Sequence, residues 1–148
     1  MAKIPNAVQD VLNQRLTFEG HIRQLGALAE TLLSHQRATD SEITRVDNIL
    51  CEIDREFREV VAIKKSSGFF ETLLELSPES KHTVDVIMKD HEQLLVELAN
   101  MRKELPQADH CQTVRKHLHG WIERFRGFDS REITLLQNVW NVDVGAAD

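Results

Sequence analysis

Apolar residues recur along this chain at alternating steps of three and four, the spacing that lines one face of an α-helix. From Val114 to Val139 the series is Val114, Leu118, Trp121, Phe125, Phe128, Leu135 and Val139, with Glu132 standing where an apolar residue belongs. A stretch from about Asn6 to His35 carries Val11, Gln14, Phe18, His21, Leu25, Leu28, Leu32 and His35 on its seam. The next reads Ile43, Val46, Leu50, Ile53, Phe57, Val60 and Lys64, and a further one Val84, Ile87, His91, Leu94, Leu98, Met101 and Leu105. The pattern predicts four long amphipathic helices.

Their ends are marked by local chemistry. Thr39-Asp40-Ser41-Glu42 has the form of a capping box, in which a hydroxyl and a later carboxylate satisfy free N–H groups at a helix start. Ser66-Ser67-Gly68 breaks the second helix. Phe69 to Leu76 is a short apolar helical piece suited to closing a bundle end. Ser77-Pro78-Glu79 starts the third long helix, with a hydroxyl cap before a proline in the first turn. Pro106 stops that helix, and Asp109 to Gln112 can cap the last. Val142 to Asp148 reads as a fraying tail. Short turns join helices 1 and 2 and helices 3 and 4. The expectation is an all-α, antiparallel (up-down-up-down) four-helix bundle, a single domain over residues 1–148, with a short extra helix between helices 2 and 3.

Composition supports long helices, since the 6 glycines and 3 prolines cluster at breaks. With 18 basic and 24 acidic residues the net charge is −6, and the basic residues are scattered. Neither a nucleic-acid surface nor an anionic-membrane surface is expected. No apolar run has membrane length, and Met1 to Gln14 has no secretory pattern. Cys51 and Cys111 give no metal spacing and no disulfide framework, so a cytoplasmic protein with reduced thiols is expected. Cys51 falls one position past Leu50 on the second seam and reads as a small packing residue.

One ionisable residue interrupts each seam: His21, Lys64, His91 and Glu132. Burying a lone charge is costly, so each needs a partner. Histidines and carboxylates converging from facing helices build di-iron and di-manganese sites. An ammonium has no free lone pair and cannot join such a set. Counting from the turns, His21 lies 15 residues before Gln36 and His91 15 before Pro106, whereas Lys64 lies 24 after Asp40 and Glu132 23 after Asp109. The count places His21 near His91 and Lys64 near Glu132, with the two pairs separated by roughly 12 Å at the helical rise. Val60 and Phe128 should stand between them. Two readings of His21 and His91 follow: core histidines bonded to neighbours, or a mononuclear metal site shared with a carboxylate. Asp90 and Glu92 flank His91 but point off its seam. His82, His110, His117 and His119 read as surface residues, although His119 and Glu123 have the spacing that puts two ligands on one helix face.

Glu19-Gly20-His21, the run Lys64-Lys65-Ser66-Ser67-Gly68-Phe69-Phe70-Glu71, Asp90-His91-Glu92-Gln93-Leu94 and Phe128-Asp129-Ser130-Arg131-Glu132 occur in that order over nearly the whole chain. In this the chain resembles the hemerythrin-like family of four-helix bundles, whose members generally hold a non-haem di-iron centre. The resemblance implies metal ligands at His21, His91 and Glu132. It also implies a histidine and an acid four residues apart on helix 2, where this chain has Val60 and Lys64, and on helix 4, where it has Phe128 and Glu132. Around His91, Ile87 and Leu95 cannot supply the further imidazole that the family offers there. The expected function is therefore a hemerythrin-like bundle with an eroded di-iron site, acting as a non-enzymatic binding, sensing or interaction module without a cofactor. The alternative is a non-haem iron- and oxygen-binding protein with an unusual or mononuclear site. The partners consistent with these readings are a metal ion or dioxygen, a second copy of the chain, or another protein. No Gly-x-Ser-x-Gly, Walker or dinucleotide fingerprint occurs, which leaves hydrolytic and nucleotide chemistry without a motif.

Overall fold

The computed structural model describes residues 6–34, 38–107 and 111–140. Within them the chain is helical, with no strand among the described residues. The elements are α1 (Asn6–Leu32), α2 (Asp40–Ser66), the short α3 (Phe69–Leu76), α4 (Lys81–Glu104) and α5 (Cys111–Trp140). The expectations for His35, for Asp109 as a cap and for the tail lie outside the described residues.

The start of α2 forms as the sequence chemistry dictates, whereas the expected Ser77 hydroxyl cap does not form: its Oγ meets Ser80 Oγ at 2.7 Å, and α4 begins at Lys81. Thr39 accepts a hydrogen bond from the Glu42 backbone N–H at 3.1 Å, and the Glu42 carboxylate accepts one from the Thr39 backbone N–H at 3.0 Å. The reciprocal box starts α2 three residues earlier than its first seam residue, Ile43. At the other end Gly68 takes φ +77°, a left-handed conformation that costs glycine little. That residue turns the chain out of α2 and into α3, which buries Phe69, Phe70 and Leu73. Pro78 opens a turn of 3₁₀-helix, Pro78–Ser80, that leads directly into α4.

The long helices pack side by side as a bundle around one contiguous core. α1 packs on α2 and α5, and α4 packs on α2 and α5. The expected seams of α2, α4 and α5 face this core, including Phe57, Ile87, Leu98, Leu118 and Trp121, all essentially inaccessible. On α1 the inward face differs from the expected seam. It is built from Val8, Val11, Leu12, Arg15, Phe18, Ile22, Ala29 and Leu33. His21 and Gln14 point outward, Leu28 is 41% exposed, and Leu25 and Leu32 are only partly buried. Beyond Phe18 the helix is turned by one position relative to the expectation.

The reason is the approach of α1 to α5. A Cβ at Gly26 would lie 2.7 Å from Ile122 Cδ1, inside van der Waals contact. Small residues, Gly26 and Ala29, therefore face the core where the helices are closest. The leucines that made the expected seam are too large for that position. Cys51, expected to pack, is an exposed free thiol on the outer face of α2.

Candidate functional site

Lys64 stands in the last turn of α2, on the same face as Phe57 and Val60, and is carried inward with them. Its side chain is 2% exposed and Glu132, facing it from α5, is 1% exposed. Lys64 Nζ donates to Glu132 Oε2 at 2.7 Å. His91 of α4 completes a trio, with its Nε2 3.4 Å from Lys64 Nζ. An ammonium can only donate, so Nε2 is the acceptor and the imidazole proton resides on Nδ1. Burial, together with the positive charges of Lys64 and Lys65, pushes the His91 pKa down to about 2. His91 is therefore a neutral acceptor throughout the physiological range.

Aromatic rings enclose the trio. The Phe128 ring lies 5.3 Å from the Lys64 ammonium and 4.8 Å from the His91 ring, so its face contributes cation–π attraction at the charge. Phe57 packs edge-on to His91 at 5.8 Å, and Phe70 of α3 closes the far side at 6.3 Å. Glu132 Oε1 and His91 Nδ1 have no hydrogen-bond partner among the described residues. Removing one member of a buried ion pair costs about 3–5 kcal/mol, because the survivor remains uncompensated.

Sequence reasoning placed Lys64 with Glu132, and the structure brings them together. It placed His91 with His21, and here the outcome differs. His91 joins Lys64 and Glu132 across Phe128, while His21 lies on the outer face between α1 and α2. The His21 Nδ1 bonds both oxygens of Glu56, at 2.7 and 2.9 Å, and the histidine side chain is 45% exposed. The turn count assumed equal helix starts and a seam through His21, and the rotation of α1 removes the second assumption. Of His21, His91 and Glu132, only the last two share a site. His117 and His119 pair with Glu104 and Glu30 on the surface, and His82 is exposed.

A second buried ion pair escaped the sequence reading. Arg15 of α1 reaches Asp129 of α5 through a forked contact, Nε to Oδ1 at 2.6 Å and Nη2 to Oδ2 at 2.8 Å. Both side chains are nearly inaccessible. The expected α1 seam passed through Gln14, which hid Arg15. Asp129 lies just beside Phe128 and three residues before Glu132, so two core-facing acids on successive turns of α5 were the available signal.

A carboxylate–imidazole metal centre needs lone pairs converging on a vacant point. At the trio that point holds a lysine ammonium, and the adjacent seam positions are Val60 and Phe128. These residues do not fit a di-metal centre. What they can do is hold a fixed internal charge and a permanently neutral imidazole in an aromatic shell. No described helix is long and apolar enough to cross a membrane. No family model, no curated protein and no solved structure matches the chain.

Proposed function

We propose that this chain is an up-down-up-down four-helix bundle similar to the hemerythrin-like proteins, in which a lysine ammonium has taken over the electrostatic role of a metal centre. In this reading it is a non-enzymatic binding, sensing or interaction module of the cytoplasm. The observation that carries the proposal is the Lys64–Glu132 contact at 2.7 Å, with both side chains buried. Glu132 is where the family resemblance implies a ligand, and its charge is met by a side chain instead. His91 is similarly engaged, as an acceptor for the same ammonium.

The test is the metal content of the untagged protein purified in air. Elemental analysis should find iron well below one atom per chain, unchanged by His91→Ala. Two irons per chain together with near-ultraviolet absorbance of an oxo-bridged pair would overturn the proposal in favour of an oxygen-binding centre.

A further inference from the structure

The bundle carries a second convergence of metal-capable side chains, on its outside. His21 of α1 and Glu52 and Glu56 of α2 each bring one ligand atom to within 4.8 Å of the others. We propose that these three residues form a site for a divalent first-row transition-metal ion in the groove between α1 and α2. The site is separate from the buried trio, shares no residue with it, and does not rest on the functional reading above.

The helix geometry makes the set. Glu52 and Glu56 are four residues apart on α2, so their carboxylates project from one face on successive turns. His21 arrives from α1 because the rotation that buries Ile22 turns its neighbour into the α1–α2 groove. Two carboxylates at this spacing repel one another unless a positive charge lies between them. The nearby arginines of α2 are engaged elsewhere, Arg55 with Glu59 and Arg58 with Asp54. Glu56 has His21 as its partner, and Glu52 has no hydrogen bond or ion pair among the described residues. Two carboxylates thus converge on one imidazole while the arginines of α2 on either side are paired elsewhere.

The donor set selects the ligand. One imidazole nitrogen and two carboxylate oxygens suit zinc better than calcium, which prefers oxygen ligands alone. Bond lengths of about 2.0–2.2 Å put such donors roughly 3–4 Å apart around an ion, a change that side-chain rotations supply. Water completes the coordination, since His21 is open to solvent. The adjoining groove is lined by Gln14, Thr17, Glu56 and Glu59, so its further donors are also oxygens.

The experiment is a calorimetric titration of the untagged full-length chain, stripped with chelator, using zinc ion alone as the probe. One ion per chain should bind. His21→Asn and Glu52→Gln should each weaken binding by on the order of tenfold or more, the loss that even outer-shell partners cause at metal sites. Both positions are accessible, and far-ultraviolet circular dichroism confirms that the variants fold. His91→Ala and Glu123→Gln should leave binding unchanged. Absence of saturable binding, or binding that survives both His21→Asn and Glu52→Gln, would overturn the site. Loss on His91→Ala with retention in Glu52→Gln would place the ion in the core, overturning this proposal and the eroded-core reading together.

Discussion

His91 concentrates the residue-scale chemistry of this protein, because its environment forbids a charge that the unfolded chain accepts readily. Burial is the larger cause and Lys64 and Lys65 add to it, so the folded pKa falls from 6.5 to about 2. Between those two values the unfolded state binds more protons, and acidification favours unfolding. The stability that depends on neutral His91 is therefore complete above the unfolded value of 6.5 and lost as pH falls from there toward 2. The slope approaches about 1.4 kcal/mol per pH unit well inside that window. Urea midpoints between about pH 7.5 and about pH 5 should fall more steeply in the wild-type chain than in His91→Leu, which has no proton to gain. Equal slopes would show that His91 is accessible to protons while folded. Lys64, His91 and Glu132 were legible as seam interruptions because α2, α4 and α5 are regular. Arg15 was not, since an arginine beside a glutamine on an amphipathic helix reads as surface until the helix is correctly rotated.

At the scale of the helix, α1 shows why periodicity alone misplaced one face. Its large leucines, Leu25, Leu28 and Leu32, form the more hydrophobic stripe, but the core takes Ile22, Ala29 and Leu33 instead. Close packing against α5 at Gly26 and Ile122 decides the matter, and that contact is tertiary, invisible to a single helix read alone. Two glycines therefore have different meanings. Gly127 has nothing within 4 Å of an added Cβ, so Gly127→Ala should stabilise the protein by about 0.5–1 kcal/mol through helix propensity. Gly26→Ala gains less, because the tip of Ile122 must rotate away. Gly26→Ile should destabilise by about 1–3 kcal/mol through overpacking. Chemical denaturation of the three variants checks the order, and a Gly26→Ile protein as stable as Gly127→Ala would remove the close-approach explanation. By contrast the Thr39–Glu42 box and the Gly68 turn were legible, since capping depends on neighbours within a few residues.

For the whole molecule, α5 is the element on which long-range polar contacts converge. Its Glu132 ties it to α2 through Lys64, and its Asp129 ties it to α1 through Arg15. Each tie joins residues far apart in sequence and leaves little tolerance for a slipped helix, since a shift by one position would expose a buried charge to an apolar neighbour. Such a pair fixes register more than it adds net stability, a role with a distinct energetic signature. Lys64→Met and Glu132→Gln should each cost about 3–5 kcal/mol, because each leaves its partner buried and unmatched. The double variant should cost far less than the sum, because the introduced thioether would rest against Phe128 and a neutral amide replaces the stranded carboxylate. The coupling measured by a double-mutant cycle in urea should exceed about 1 kcal/mol. Coupling within about 0.5 kcal/mol of zero, the range found for independent sites, would mean that Glu132 does not depend on the ammonium. In that case the charge at the centre of the bundle would need another explanation, and the eroded-centre reading would lose its physical basis.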